Sequence, residues 1–163
     1  VAAAAKHFPG YANITLDPAT APEARMQEPL ETFETSFIPF QDAVRNGVEM
    51  IMTGPAIVEA FDAERPASIS PAVIRVLRER LGFKGAVLSD DLDSQATLRG
   101  RPITQVAVDA LNAGSDFLLI ADIDDHIDQI DSAILNAVQR GSLTESRLAE
   151  AAAKVRALAV KYR

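Results

Sequence analysis

Short apolar runs alternate with helix-patterned segments along this chain, and that alternation constrains its fold more than any other feature. Val48–Met52, Ala86–Leu88 and Asp116–Ile120 are almost wholly apolar, and Val1–Ala5 is a further candidate strand. A strand apolar on both faces must be covered on both faces, which is the condition of a parallel sheet flanked by helices. The segments between carry helical signals. The clearest runs from Ser70 to Leu81: Ser70 suits the N-cap, Pro71 the first helical position, and Ile74, Leu77 and Leu81 recur at helical spacing before Gly82 stops it. Ile103–Ala113 ends at Gly114, Asp125–Gln139 is followed by Gly141, and an amphipathic helix from Thr144 buries Leu148, Ala152, Val155, Leu158 and Tyr162. Asp17–Pro29 reads as a loop. The strand-to-strand intervals have the length of a βα unit with its crossover. The expected class is α/β, and the pattern alone fits either a small doubly wound sheet or half of an eight-stranded barrel.

With 163 residues, 48% of them hydrophobic, the chain is long enough for one domain with a real core. A net charge of -7 without clustered Lys or Arg argues against a phosphate-tracking surface, so nucleic acid is not an expected partner. Cysteine is absent, which excludes disulfides and thiolate metal sites and leaves His7 and His126 as the imidazoles. The apolar runs fall well short of the roughly 20 residues of a membrane span. Val1–Ala5 is too short for a signal peptide and has no basic segment before it. The chain opens without methionine inside a strand-like run, and a further upstream part is expected.

The chemistry concentrates in Gly85-Ala86-Val87-Leu88-Ser89-Asp90-Asp91-Leu92-Asp93, where an apolar strand ends in carboxylates. In α/β proteins the C-terminal ends of strands are where ligands meet catalytic side chains. Asp90 is the first candidate, with Asp91 and Asp93 as competitors. The plainer reading is a solvated loop whose acids cap the next helix. A metal site on these three acids lacks the spaced carboxylates and turn glycine of a calcium loop. A phosphoacceptor domain would want a lysine at the end of a later strand, where Ile120-Ala121 is instead followed by Asp122. Asp122, Asp124 and Asp125 read as an exposed loop and helix N-cap.

Several motifs, in one order, resemble the N-terminal barrel domain of family 3 glycoside hydrolases, especially its β-N-acetylhexosaminidase branch. Lys6-His7-Phe8-Pro9-Gly10 is similar to that branch's substrate-loop motif, and Ser89-Asp90-Asp91-Leu92 to the segment carrying its nucleophile. Between and after them come Met50-Ile51-Met52-Thr53, Arg65-Pro66-Ala67-Ser68-Ile69-Ser70, Leu81-Gly82-Phe83-Lys84-Gly85 and Ala113-Gly114-Ser115-Asp116, so the likeness covers nearly the whole chain. The resemblance implies a (β/α)8 barrel of TIM type, with residues 1–163 as its C-terminal half. A lone half-barrel would expose two strand edges and half of its core, so the upstream half-barrel is an expected partner. It also implies retaining hydrolysis of O-glycosidic bonds through a covalent glycosyl-Asp intermediate, with Asp90 as nucleophile and a neighbouring Asp91 whose charge would raise its proton affinity. Lys6 and His7 would hydrogen-bond the hydroxyls of an N-acetylglucosamine-type sugar, and Gly10 would ease the turn out of the strand. No cofactor is required by that chemistry, and the cytoplasm is the commoner home of the branch.

One departure bears on activity. The branch continues K-H-F-P-G-H-G, four residues, then D-S-H, whose last Asp and His form the acid/base dyad on a mobile loop. Here the segment reads Lys6-His7-Phe8-Pro9-Gly10-Tyr11-Ala12, Asn13 to Leu16, then Asp17-Pro18-Ala19. Asp17 is the remnant of the dyad, and Ala19 stands at the imidazole position. Pro55 likewise replaces a common histidine and Ser94 a usual methionine. Two readings follow: a hydrolase that draws its acid from upstream or from a differently placed Asp17 or Tyr11, or a catalytically silent sugar-binding or scaffold relative.

Overall fold

A computed structural model describes residues 1–11, 13–122 and 126–163. The first half of the chain contains β1 (Ala4–Phe8), β2 (Arg25–Met26), α1 (Leu30–Ser36), α2 (Ile38–Arg45), β3 (Met50–Thr53), β4 (Ile57–Val58) and β5 (Asp62–Pro66). A 3-10 turn at Ala67–Ile69 leads into α3 (Pro71–Arg75), followed by β6 (Ala86–Asp91), α4 (Gln95–Leu98), α5 (Ile103–Ala113), β7 (Phe117–Leu119), α6 (Ile127–Gln139) and α7 (Glu145–Lys161). The main sheet has four strands in the order β1-β3-β6-β7, and every pairing is parallel. It is a mixed α/β fold with a parallel sheet, as the alternating pattern requires. Strand neighbours follow chain order without reversal, so each helical crossover returns to the strand beside the last. A small sheet, β2-β4-β5, stands beyond the C-terminal end of β3.

Helices α1 and α2 bring aromatic side chains onto β1, where Phe8 stacks on Phe37 at 5.4 Å and meets Phe40 edge-on at 5.2 Å. Ile51, Val87, Leu77 and Phe83 complete this cluster. A second gathers Leu92, Val106, Ala107, Ala110 and Ile130 between α5 and α6. Gly85 has no room for a side chain: a Cβ there would lie 2.3 Å from the Glu49 carbonyl oxygen. Its absence lets β6 start flush against β3.

Three expectations need correction. The first strand begins at Ala4 rather than Val1 and runs on through His7, because its partner β3 starts opposite Ala4, at Met50. The helix expected over Ser70–Leu81 is regular only to Arg75. Ser70 caps it, accepting the Val73 amide at 3.3 Å, but Val76–Arg80 widens into a π-helical turn. There the Leu81 amide reaches back five residues to the Val76 carbonyl. Helix α6 starts at Ile127 with His126 at the N-cap position; Asp124 and Asp125 lie outside the described residues.

At the N-terminal end of the sheet one carboxylate joins several elements. Asp116 has a side chain with 0% exposure. Its Oδ2 accepts the Val87 amide at 2.9 Å, Arg78 at 3.0 Å and Lys154 at 3.1 Å, and its Oδ1 accepts Arg147 at 2.5 Å. Arg78 also donates to the Phe83 and Gly85 carbonyls, and Arg147 to those of Leu111 and Ser115. Burial lowers the pKa of Arg78, and the facing Asp116 raises it back in part.

Candidate active site

The opposite, C-terminal end of the sheet carries the carboxylates. Register runs from Phe8 on β1 to Thr53 on β3 to Ser89 on β6. His7 and Asp90 therefore flank β3 from either side, where the chain leaves the sheet through Gly54. Asp90 is the last residue but one of β6, and its side chain is 17% exposed. Its Oδ1 accepts the Asp91 amide at 2.8 Å. Its Oδ2 lies 3.4 Å from His7 Nε2 and accepts the Tyr11 hydroxyl at 3.3 Å. The His7 and Tyr11 rings stack at 5.0 Å.

Gly54 makes this grouping possible. A Cβ at that position would sit 3.1 Å from Tyr11 Cε1, so the ring rests directly over bare backbone. That backbone is held from beneath by buried Ser68, whose Oγ donates to the Gly54 carbonyl at 2.9 Å. The turn out of β1 is set by Gly10, whose φ of +114° is a conformation that L side chains rarely adopt. The Lys6–His7 and Phe8–Pro9 peptide bonds are both cis.

Burial lowers the His7 pKa, the charge of Asp90 raises it in part, and Lys6 lowers it again, so the net direction favours neutral imidazole. Burial pushes the Tyr11 phenol well above its usual range, helped by the charge of Asp90, the hydrogen bond to it, and the charge of Asp17. The phenol is a permanent donor at neutral pH.

Asp91 and Asp93 turn away from this group, as alternation along the end of a strand demands. Asp91 Oδ1 accepts the Ala121 amide at 2.9 Å, and Asp93 Oδ2 accepts the Asp122 amide at 2.9 Å. The two side chains share a hydrogen bond. Burial and that bond raise the Asp91 carboxyl from 3.8 to about 6. Burial also raises Asp93, but hydrogen bonds from Asp91 and from the amides of Asp122 and Ala121 outweigh it, and its net shift is downward. Below about pH 6 the pair therefore holds one proton between its carboxyls, and its bonds to the Ala121 and Asp122 amides tie the end of β6 to the segment after β7. Asp91 is not positioned to act on Asp90 as a facing like charge, as the sequence had suggested.

A proton held by the fold and released on unfolding makes stability fall as pH rises from the ordinary Asp91 value toward about 6. The depressed Asp93 acts in the opposite sense, its contribution being lost as pH falls. Asp91→Asn keeps an acceptor for Ala121 and a permanent donor for Asp93. The variant is expected to gain on the order of 1 kcal/mol over wild type at pH 8, after discounting for solvent screening, and nothing at pH 4. Denaturant melts at the two pH values check it.

The loop carrying Asp17 is fastened down. Asp17 Oδ1 accepts the Ala19 amide at 2.9 Å. The Pro18 and Ala19 carbonyls accept the amides of Ala96 and Gln95 at 3.0 and 3.1 Å, which fixes the loop to the first turn of α4. Two departures noted in the sequence meet beneath it. Buried Ser94 donates to Thr97, whose hydroxyl in turn reaches the Pro55 carbonyl at 3.5 Å. Lys6 is exposed and, with His7, Gly10, Tyr11 and Ser36, lines an open cleft of about 550 Å³ beside β1. Asp90 is not itself part of the cleft wall; it lies behind it, in contact with His7 and Tyr11.

The structure therefore brings His7 and Asp90 together, with Lys6 on the adjoining wall and Asp17 acting on Tyr11 only through its charge. Tyr11 was weighed in the sequence only as a substitute acid; its position one residue after the Gly10 turn is the signal that places it over the strand ends. Among the described residues no group of three His, Asp or Glu side chains has an arrangement that could hold a metal ion. No helix among them is long and apolar enough to cross a membrane.

Comparison with known proteins bears on this arrangement. Residues 1–158 match the model of the glycosyl hydrolase family 3 N terminal domain. A beta-hexosaminidase of Methylobacillus flagellatus is 33% identical over 144 residues, covering 88% of this chain and 41% of that protein. One from Methylococcus capsulatus is 35% identical over 122 residues, covering 74% and 36%. Among solved structures, a family 3 beta-N-acetylglucosaminidase from Paenibacillus sp. str. FPU-7 superposes with a TM-score of 0.91 at 30% identity, covering 97% of this chain and 30% of that one. The chain spans less than half the length of these relatives. With the family model matched along almost its entire length, this chain belongs to glycosyl hydrolase family 3, in the N-terminal domain of that family.

Proposed function

We propose that the protein containing this chain is a retaining glycoside hydrolase acting on β-linked N-acetylglucosamine-type sugars, with Asp90 as its nucleophile. The observation that carries the reading is the contact of Asp90 with His7 at the C-terminal ends of strands in one parallel sheet. A carboxylate oxygen of Asp90 attacks the anomeric carbon, a C–O bond to Asp90 forms, and the bond to the leaving oxygen breaks. The leaving oxygen takes up a proton from an acid/base group or from solvent as it departs; water then attacks the same carbon, returns a proton to that group or to solvent, and frees the carboxylate. His7 and Lys6 face the sugar hydroxyls. The names of the relatives, beta-hexosaminidase and beta-N-acetylglucosaminidase, support the substrate class.

The same reading makes this chain four βα units of a (β/α)8 barrel, residues 1–163 being its C-terminal half. Strand order without reversal supports it, as do the unpaired outer edges of β1 and β7 within the described sheet. The remaining strands would pair with those edges and close the pocket. A carboxylate donated by that half is the simplest route to the missing acid.

A second reading, a silent sugar-binding relative, is favoured by Ala19 and by the fastening of its loop to α4. Incubating the full-length protein with a fluorinated glycoside that traps glycosyl-enzymes, then mapping the label, separates the two. Label on Asp90 is the expected result; sugar binding without label or turnover removes the hydrolase. Ala19→His is expected to raise turnover of a poor-leaving-group glycoside about 10²-fold, the lower end for general acid help because the loop is held. The comparison is read as kcat/KM on matched good- and poor-leaving-group substrates.

A further inference from the structure

We propose that Tyr11 is a positioning residue for Asp90: its ring is clamped between His7 and Gly54, and its hydroxyl holds one carboxylate oxygen in place through turnover. The inference rests on Asp90 being the nucleophile.

The contacts define the carboxylate from both ends. Oδ1 is fixed by the Asp91 amide at 2.8 Å, a group of the rigid strand. Oδ2 would be free to rotate were it not for Tyr11 at 3.3 Å and His7 at 3.4 Å. Both contacts are long, and together they leave Oδ2 held from two sides. The ring is located just as firmly, by stacking on His7 at 5.0 Å and by lying against Gly54.

Other roles fit less well. A general acid in a retaining site stands about 5–5.5 Å from the nucleophile, beside the leaving oxygen, not in contact with the nucleophile itself. Burial and the charges of Asp90 and Asp17 also disfavour phenolate, which makes the hydroxyl a poor proton donor in full transfer and a poor nucleophile. Simple packing does not account for it either, since Tyr11 is 36% exposed and directs its hydroxyl at a carboxylate. What remains is orientation of Asp90 by a donor that stays protonated.

The test uses full-length wild-type, Tyr11→Phe and Gly54→Ala proteins and an aryl glycoside with a good leaving group, whose turnover needs no general acid. Tyr11→Phe is expected to lower kcat several-fold, the effect of one long hydrogen bond to a charged group, with KM within about twofold. Gly54→Ala keeps the hydroxyl but displaces the ring, and lowers kcat in the same way. Wild-type kcat in Tyr11→Phe, or a covalent label on Tyr11, overturns the proposal.

A second measurement does not depend on turnover. The Tyr11 resonance in ¹³C-tyrosine-labelled protein, assigned by its loss in Tyr11→Phe, should ionise at lower pH in Asp90→Asn than in wild type. Identical titrations overturn the contact. A wild-type protein without turnover whose Tyr11 titration does respond to Asp90 would fail the hydrolase reading and leave the pairing of Tyr11 with Asp90 standing.

Discussion

Asp90→Asn is expected to reduce turnover of an activated aryl glycoside by about three orders of magnitude or more, the scale at which removal of a covalent nucleophile is felt. The substitution preserves the geometry and removes the chemistry. Asparagine keeps an oxygen for the Asp91 amide and a polar atom opposite Tyr11 and His7, so the strand end and the stacked rings have no cause to move. The amide lacks the charge and the lone-pair basicity to form a glycosyl ester. Steady-state kinetics beside an unchanged melting curve would attribute the loss to chemistry. Turnover within tenfold of wild type would place the nucleophile elsewhere.

Asp116→Ala should produce a large loss of stability, about 3 kcal/mol, because it leaves three half-buried cations without their shared anion and the Val87 amide without its acceptor. The guanidinium of Arg78 is already strained toward its neutral form by burial, and only Asp116 and more distant carboxylates favour its charge. For a domain of this size the loss corresponds to roughly 10 °C in Tm. Asp116→Asn, which retains the acceptor for the Val87 amide but not the charge, should fall between. Denaturant titration of the full-length protein measures both. A loss under about 1 kcal/mol for the alanine variant would show that the cluster is wet and adaptable instead of a fixed joint.

Much of the fold was legible because burial of both strand faces leaves a plain signature. Ile51, Val87 and their neighbours are apolar at consecutive positions, and only a covered parallel strand tolerates that. Helix α5 was equally plain, since Gly114 marks its end with a φ of +117°. The missed elements are those whose cause is remote. Helices α1 and α2 carry Phe33, Phe37 and Phe40, whose partners are distant in sequence: Phe8 of β1 for Phe37 and Phe40, and Phe61 for Phe33. The π-helical turn at Val76–Arg80 answers to the buried contacts of Arg78 with the Phe83 and Gly85 carbonyls, which no local periodicity records.

The site divides along the same line. The motif carrying Asp90 sits on one strand and shows itself in a few adjacent letters. Its encounter with His7 spans three strands; the resemblance to a family put both residues in one site, and their contact comes only with the register. The division of labour between Asp90, Asp91 and Asp93 was out of reach, because it depends on which face of a strand end each side chain takes and on amides from Ala121 and Asp122 far along the chain.

The fastening of Pro18 and Ala19 to α4 has a consequence for how ligands come and go. A flap that must swing adds a slow, separate phase to association and shuts bulk solvent out at each cycle. A loop stitched to α4 does neither. Under the proposed function, association of a ligand with this end of the sheet would then show a single phase, without a separate closing step.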